Sequence, residues 1–296
     1  MRTVYLGTSP FAAAVLRRLA SSEHRPALVV TRPDAPRGRG RRLAPPPVAE
    51  AARSLGIDVF QPESVNAADS VARIAAAEPE AVLLCAYGAL IREPLLSRFG
   101  PIRNVHPSLL PRWRGAAPVE RAIMAGDAET GVSIMALGEG LDDGPVYLAS
   151  AEPIRPDDTY GTLAARLEEL SGELLLRALD ERPEPVPQPE DGVTYAEKIT
   201  AADRTLDPSR PAAELERAVR ALTPHVGARV ELPGGELLGV RRAAVVEGSG
   251  LAAGELRAEG GRLLLGTADG ALALVEVQPP GGRPMDAAAY LRGRAG

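Results

Sequence analysis

The fold is decided first by residues 3–21, TVYLGTSPFAAAVLRRLAS. Residues 3–8 are a short apolar run, which predicts a buried strand, and residues 10–21 carry their large apolar side chains at helical spacing. Pro10 suits the first turn of a helix, because the N–H that proline lacks has no helical partner there. The stretch therefore predicts a strand, a tight turn and a helix.

The alternation of strand and helix continues to about residue 181. Expected strands cover residues 27–31, 58–60, 81–86, 102–105, 132–137 and 146–154, and expected helices cover residues 48–55, 65–77, 92–98 and 159–181. Strands that alternate with helices favour a largely parallel, doubly wound sheet, so this part of the chain is predicted to be an α/β domain. The polar end of the 102–105 strand is where such sheets place active sites.

Residues 182–192, RPEPVPQPEDG, follow this domain. Their four prolines predict a stiff, extended linker. Beyond the linker the pattern changes to one helix at residues 211–222 and then short β runs between glycine-rich turns, which predicts a small barrel. The predicted organisation is a first domain at residues 1–181, a linker at residues 182–202 and a barrel domain at residues 203–296.

The composition excludes several classes of protein. Hydrophobic residues make up 45% and charged residues 25% of the 296 positions, which is too apolar for disorder. Cys85 is the single cysteine, so an intrachain disulfide is excluded and a reducing, cytoplasmic location is expected. No apolar run approaches the roughly 18 residues that span a bilayer, and residues 3–8 lack the pattern of a signal sequence. Membrane insertion is not expected.

The densest cluster of chemically specialised residues is NVHPSLLPRWRG at residues 104–115, which holds one of three histidines and the single tryptophan. Residues two apart in a strand share a face, so Asn104 and His106 can point the same way. An amide can stabilise an oxyanion and an imidazole can move protons near neutral pH, as acyl transfer requires. An Asn-x-His pair is also ordinary loop polarity, and these two residues alone leave both interpretations open.

A glycine-bracketed acidic turn, GEGLDDG at residues 138–144, follows a predicted strand. Taken alone, Asp142 and Asp143 are typical of a solvated turn. If the turn folds back on the end of the 102–105 strand, one of the two carboxylates could orient His106, as in other pairs of a base and its orienting acid.

Residues 37–42, RGRGRR, place four arginines in six positions. Arginine binds phosphate in a bidentate manner, so this run can form a phosphate-binding loop, and a solvated charged loop is the alternative. The whole chain carries a net charge of −5, which gives no global attraction to nucleic acid. The local reversal of sign therefore makes a polyanionic partner more credible.

Other candidate features predict no further chemistry. Residues 7–12, GTSPFA, lack the second and third glycines of a dinucleotide-binding turn, which argues against NAD. Cys85 is expected in the core, and His24 and His225 are expected at the surface without partners. The histidine spacing predicts no zinc site.

Taken together, the motifs resemble those of the methionyl-tRNA formyltransferase family. The similar stretches, in the family's order, are LGTSPFA at residues 6–12, RPDAPRGRGRRL at 32–43, NVHPSLLPRWRGAAP at 104–118, AIMAGDAETGVSI at 122–134, GLDDG at 140–144 and YAEKIT at 195–200. The resemblance covers nearly the whole chain and implies a Rossmann-like formyltransferase domain followed by an OB-like β-barrel.

The resemblance also implies an activity. A member of this family is expected to be a one-carbon group transferase in translation initiation, with 10-formyltetrahydrofolate as co-substrate and no metal. The acceptor is the amino group of methionine on initiator methionyl-tRNA, and a cytoplasmic monomer is expected. The implied catalytic residues are Asn104, His106 and Asp142, the folate-contacting residues are Ser108, Leu109, Leu110 and Pro111, and the tRNA-binding residues are Arg37, Arg39, Arg41 and Arg42.

These roles suggest a mechanism in which the neutral amine attacks the formyl carbon directly. Asn104 and protonated His106 stabilise the oxyanion, while Asp142 orients His106 and helps to remove the amine proton. The chain departs from the family pattern at Asp143, where a threonine is usual, and at residues 224–228, PHVGA, which lack an aromatic residue. The barrel region also carries 12 arginines against 12 acidic residues, so it lacks the positive charge expected of a tRNA-binding domain.

Other functions remain open from the sequence. The same kind of site serves formyl transfer to a sugar nucleotide or to glycinamide ribonucleotide, although neither small substrate needs the basic loop or the barrel. Hydrolysis of formyl-folate and a catalytically silent tRNA-binding protein are the further alternatives.

Overall fold

The strand, turn and helix predicted at residues 3–21 are confirmed. Strand β1 covers Thr3–Gly7 and helix α1 covers Pro10–Ala20. Ser9 caps the helix, because its side-chain oxygen accepts the N–H of Ala12 at 3.1 Å. A serine at this position satisfies one of the amides that every helix leaves unpaired at its start.

The structure is a computed structural model that describes residues 1–37 and 42–294. The chain forms two compact units: unit 1 comprises residues 1–115, 130–152 and 164–195, and unit 2 comprises residues 116–129, 153–163 and 196–296. The units are thus built from interleaved stretches, whereas the predicted domain ranges are contiguous. Those ranges stay a prediction.

Each strand and helix expected from the sequence has a counterpart within a few residues. As far as residue 181 the elements after α1 are β2 Pro26–Val30, β3 Ala35–Arg37, β4 Arg42–Ala44, α2 Pro47–Ser54, β5 Val59–Phe60, α3 Ala68–Ala75, β6 Ala81–Cys85, α4 Leu95–Arg98, β7 Arg103–His106, β8 Arg114–Gly115, α5 Pro118–Ala125, β9 Glu129–Ala136, β10 Val146–Pro153 and α6 Tyr160–Glu181. The rest are β11 Tyr195–Ala196, α7 Ala201–Arg204, α8 Ala212–Ala221, β12 Ala228–Glu231, β13 Leu237–Val246, β14 Leu256–Glu259, β15 Arg262–Gly266, β16 Ala271–Gln278, β17 Met285–Asp286 and α9 Ala287–Arg294.

Unit 1 is organised around a seven-stranded sheet with the order β10-β9-β7-β6-β1-β2-β5. Strands β5, β2, β1, β6 and β7 run parallel, which confirms the predicted α/β class. Strand β9 runs antiparallel to β7, with Arg103 opposite Ala136 and His106 opposite Ser133. The loop after β9 therefore starts beside the amino end of β7, and not beside the end where His106 lies.

Cys85 lies at the end of β6 and is 1% exposed, as expected of a core residue. Burial raises the pKa of its thiol to about 12, so the sulfur stays protonated and is not a nucleophile. His24 was expected at the surface, and that expectation is wrong. The residue is 4% exposed, and its Nε2 lies 2.7 Å from Oδ1 of Asp180, a partner 156 residues away that the sequence could not indicate.

Unit 2 contains the short β strands from which the sequence predicts a small barrel, and the structure pairs them antiparallel. Strands β12, β13, β16, β15 and β14 form one sheet in that order, and β17 adds to β16. Buried hydrophobic side chains form one cluster between this sheet and helix α8. Leu215 and Val219 of the helix belong to it, together with Leu238 and Val240 of β13. Burial of such side chains is the main source of stability for a domain of this size.

Several elements were not expected from the sequence: the β3–β4 hairpin, helices α5, α7 and α9, and the short strands β8, β11 and β17. The predicted linker is also more than a spacer, because Val186 forms an antiparallel bridge with Val146 at the start of β10. Its prolines keep it extended, and an extended strand edge can pair with a neighbour. In the part of the chain that the structure describes, no helix is both long and apolar enough to cross a membrane.

Candidate active site

Strand β7 places Asn104 and His106 on one face of the sheet. The two residues are 5% and 4% exposed, so both side chains are buried although both are polar. Buried polar groups require hydrogen-bond partners, because an unpaired one costs free energy of about 1–3 kcal/mol. The partners of these two side chains therefore define the site.

The His106 ring is held at both nitrogens. Its Nε2–H donates to the carbonyl oxygen of Trp113 at 2.8 Å, and its Nδ1 lies 3.6 Å from Oδ2 of Asp142. Since a carbonyl oxygen only accepts, Nε2 carries a proton in this arrangement. The other ring nitrogen, Nδ1, faces the Asp142 carboxylate, so the ring is held between a backbone carbonyl and an acidic side chain.

Trp113 takes up an unusual backbone conformation to make this contact. Its φ is 65°, in the left-handed region that bulky residues rarely occupy. Such a conformation costs about 1–3 kcal/mol and persists only where the surroundings enforce it. The Trp113 N–H donates to Oγ1 of Thr194 at 2.9 Å, which is one such constraint.

Asp142 reaches the same point from the loop between β9 and β10. Its Oδ2 accepts the N–H of Gly115 at 2.9 Å, and its Oδ1 lies 3.4 Å from Nδ2 of Asn104. Its φ is 49°, a left-handed conformation that aspartate tolerates better than most residues. The carboxylate thus joins Asn104, His106 and the backbone of β8.

The glycines of the loop explain how Asp142, and not Asp143, comes to face His106. A side chain on Gly144 would collide with the carbonyl oxygen of Ala136, so the loop can lie against the end of β9 only with glycine there. The Asp143 carboxylate lies over Gly140, at a place where any side chain would collide with it. Asp143 is exposed, whereas the Asp142 side chain is 14% exposed.

The predicted folate-contacting segment follows β7. Ser108 is fully buried, and its hydroxyl donates to the carbonyl oxygen of Arg112 at 2.6 Å. Ser133 of β9 fastens the segment, since its hydroxyl donates to the Ser108 carbonyl at 2.8 Å and accepts the Leu110 N–H at 3.2 Å. Leu109, Leu110 and Pro111 are half-buried. These three residues therefore keep apolar surface available next to the polar cluster.

Two of the predicted tRNA-binding arginines, Arg37 and Arg42, belong to the paired strands β3 and β4. Arg37 and Arg42 are backbone partners at the end of that hairpin. The Arg42 side chain is exposed, and Leu43 beside it is 73% exposed. Arg39 and Arg41 fall within residues 38–41 and lie outside the described residues, as does the Arg37 side chain.

Gln188 is the residue of this site that sequence reasoning missed. Its side chain bonds to the Asp142 loop and to Arg114, although it lies in the segment that was predicted to be a linker. A glutamine between prolines carries no sequence signal for this role. Trp113 and Gly115 lay inside the 104–115 cluster, but their backbone contacts could not be predicted from side-chain chemistry.

A separate group of residues has the spacing of a metal site. Ligand atoms of Glu23, His24 and Asp180 lie within 4.8 Å of one another. Both carboxylates of the group are exposed, and acidic surface groups are common without a metal. None of the three residues contacts Asn104 or Asp142 through the hydrogen bonds of the described chain.

The fold and the site define a formyltransferase of two domains. The family model for formyl transferase matches residues 1–179, and the model for the formyl transferase C-terminal domain matches residues 198–295. The chain belongs to the methionyl-tRNA formyltransferase family: it is 45% identical to the methionyl-tRNA formyltransferases of Dechloromonas aromatica and of Halorhodospira halophila, over 99% of this chain and 96% of each relative.

Solved structures resemble the chain at the level of the fold. HypX from Aquifex aeolicus in complex with tetrahydrofolic acid has a TM-score of 0.68 at 19% identity, covering 98% of this chain and 47% of that one. The methionyl-tRNA formyltransferase from Clostridium thermocellum has a TM-score of 0.62 at 16% identity, covering 84% of this chain and 95% of that one.

Proposed function

We propose that the protein transfers the formyl group of 10-formyltetrahydrofolate to the α-amino group of methionine on initiator methionyl-tRNA. One observation carries the proposal: the chain that is 45% identical to methionyl-tRNA formyltransferases also brings an amide, an imidazole and a carboxylate into one buried cluster. That set of groups suits transfer of an acyl group to an amine.

The proposed chemistry assigns one task to each group. The Asn104 amide has two N–H groups, of which one faces Asp142, and the other can donate to the formyl oxygen as negative charge develops there. Protonated His106 places positive charge on the same face of β7. Asp142 keeps a proton on Nδ1 of His106 and helps to take the proton from the attacking amine.

The reaction needs no covalent link between the enzyme and the formyl group. The bound folate supplies the electrophilic formyl carbon. The bond between that carbon and the amine forms, the bond to the folate nitrogen breaks, and the proton lost by the amine balances the charge on the leaving nitrogen. An α-amino group whose neighbouring carboxyl is blocked, as at a peptide N-terminus, titrates at about 7.7–8.0, and the ester bond to tRNA should lower this further, so the nucleophile needs little activation near neutral pH.

The residues after β7 fit a folate co-substrate. Leu109, Leu110 and Pro111 are half-buried and Leu141 is 55% exposed, so apolar surface is available for an aromatic ring next to Asp142. Ser108 has its hydroxyl engaged with a backbone carbonyl. We therefore assign Ser108 the task of shaping the segment, and its neighbours the direct contacts.

The basic stretch at residues 37–42 is proposed to bind the phosphates of the tRNA through Arg37, Arg39, Arg41 and Arg42. The exposed Arg42 side chain and four arginines in six positions support this assignment. The binding should weaken as salt rises, because phosphate contacts release counterions. We further propose that the protein is a cytoplasmic monomer.

The test is formyl transfer by the purified protein from 10-formyltetrahydrofolate to methionylated initiator tRNA, beside elongator tRNA, glycinamide ribonucleotide and a reaction without an acceptor. Transfer to initiator tRNA alone is the expected result. Transfer to glycinamide ribonucleotide alone would keep the chemistry and overturn the substrate. Folate turnover without any formylated product would indicate hydrolysis, and no turnover would indicate a silent binding protein.

A further inference from the structure

The side chain of Gln188 bonds at both ends to segments that carry the site. Its Nε2 donates to the carbonyl oxygens of Asp142 and Gly144, each at 2.8 Å. Its Oε1 accepts from Nε and Nη2 of Arg114 at 3.0 and 2.8 Å. The next residue, Gly115, donates its N–H to the Asp142 carboxylate. One amide therefore ties the Asp142 loop to the strand that also binds the Asp142 side chain.

The chemistry of these partners fixes the identity of residue 188. Carbonyl oxygens only accept and a guanidinium only donates, so the four bonds require an amide with its oxygen toward Arg114. A glutamate of the same length would place an oxygen, often charged, against two carbonyl oxygens. An alanine would leave both carbonyls and the guanidinium without these bonds.

The segment around Gln188 is built to hold one conformation. Pro187 and Pro189 flank it, and each proline fixes its own φ near −65° and restricts the residue before it to extended backbone. The bridge between Val186 and Val146 fastens the segment to β10. Little backbone entropy is lost when Gln188 makes its contacts, because few conformations were open to it.

The Asp142 backbone needs external support of this kind. Its φ of 49° is uncommon for a residue other than glycine. Leu141 beside it is 55% exposed, so apolar packing contributes little at that position. The bond from Gln188 acts on the Asp142 carbonyl itself, and a small rotation of this peptide would change the 3.6 Å distance between the carboxylate and His106.

We propose that Gln188 is a positioning residue for the formyl transfer: it holds the Asp142 backbone so that the carboxylate stays against His106. The proposal rests on the proposed function for its kinetic readout and extends the set of residues on which that reaction depends. Gln188 touches neither substrate and acts through Asp142.

The first test compares Gln188→Ala with a matched control, Gln278→Ala. Gln278 makes the same kind of contacts in unit 2: its Oε1 accepts from Nε and Nη2 of Arg241 at 3.0 and 2.6 Å, and its Nε2 donates to the Gly282 carbonyl at 3.0 Å. We expect Gln188→Ala to lower kcat about 10- to 100-fold, as removal of groups that orient a reactive ligand does elsewhere. Gln278→Ala should stay within about threefold of the parent, as should KM in both variants.

A double-mutant comparison separates positioning from a general structural role. If Gln188 acts through Asp142, then Gln188→Ala costs nothing further in a chain that already carries Asp142→Asn. The double variant should have the kcat of Asp142→Asn within about threefold. Losses that multiply would overturn the proposal.

A third measurement needs no activity. The ring-nitrogen NMR resonances of the three histidines are compared at one pH in the parent, Gln188→Ala and Gln188→Glu proteins. The His106 resonances should move in both variants, while those of His24 and His225 stay. Unchanged His106 resonances in a folded variant would overturn the proposal even if the parent transfers formyl groups as proposed. A parent without activity, but with the expected resonance change, would overturn only the proposed function.

Discussion

Asp142 in unit 1 and Asp203 in unit 2 are similarly sheltered carboxylates with different partners, since their side chains are 14% and 21% exposed. Asp203 accepts from Nη1 of Arg121 at 2.6 Å and from the N–H and hydroxyl of Thr200 at 2.8 and 2.7 Å. Burial by itself would raise the pKa of Asp203, but the bonds from Arg121 and Thr200 outweigh it and lower the pKa to about 2. A carboxylate bound to a permanent cation stays ionised and acts as a clamp.

Asp142 has a backbone N–H, an amide and an imidazole as partners. The bond from Gly115 is 2.9 Å long, while Asn104 and His106 lie 3.4 and 3.6 Å away. None of these three partners is a permanently charged group such as the Arg121 guanidinium that binds Asp203. The comparison teaches that the type of partner, more than the degree of burial, distinguishes the proposed catalytic carboxylate from a structural one.

The largest effect should follow removal of the Asp142 charge. Asp142→Asn keeps the size of the side chain but loses the negative charge beside His106, so kcat for formyl transfer should fall about 10²- to 10⁴-fold. Steady-state rates with initiator methionyl-tRNA measure this. The control is Asp143→Asn in the same loop, which should stay within about threefold of the parent. Equal losses in the two variants would contradict the distinction between the two carboxylates.

The next largest effect is expected at Asn104. Asn104→Ala removes a donor for the developing oxyanion, and kcat should fall about 10²- to 10³-fold while KM changes little. Kinetics at saturating folate and tRNA separate the two parameters. A change in KM alone would mean that Asn104 binds substrate instead of stabilising the charge.

Asp203→Asn should change stability and leave chemistry alone. The folded pKa of about 2 lies below the ordinary 3.8, so the ionised carboxylate stabilises the fold above about pH 4, and this stability is lost as the pH falls through 2. We expect the variant to unfold with about 1–2 kcal/mol less free energy near neutral pH, after allowance for solvent screening. Chemical denaturation at several pH values tests this, and a loss that grows toward acid pH would contradict it.

The smallest effect is expected at Asp180, the partner of His24. This pair is closer than that of His106 and Asp142, at 2.7 Å, but the Asp180 side chain is 57% exposed. Asp180→Asn should lower the free energy of unfolding by no more than about 1 kcal/mol and leave kcat within about threefold of the parent. A large loss of kcat in Asp180→Asn would mean that the contact between His24 and Asp180 also contributes to the reaction.

Local patterns carried most of the fold prediction. The 3–21 stretch combined a short apolar run, a proline suited to the first turn and a helical period, and all three features act within a few residues. The β3–β4 hairpin escaped prediction because strands of three residues are too short to show an alternation. The direction of β9 also escaped, since strand direction depends on pairing partners that lie far away in sequence.

The candidate site, too, could be predicted from the sequence only where its residues lie close together in the chain. Asn104 and His106 share a face by the period of a strand, so their proximity followed from the sequence. Asp142 was only a conditional member, because its loop starts beside Arg103 at the opposite end of β7 and must fold back. His24 was placed wrongly at the surface for the related reason that its partner Asp180 is 156 residues away.

The sequence by itself determined the main strands and helices, the α/β class, the β-rich C-terminal region and the family, because these depend on local periodicity and on contiguous motifs. Only the tertiary structure decided three contacts. Asp142 faces His106, the backbone carbonyl of Trp113 binds the other side of the His106 ring, and Gln188 joins the Asp142 loop to Arg114. The physical reason is that hydrogen bonds between distant backbone and side-chain groups depend on the packing of whole strands and loops, which no short stretch of sequence encodes.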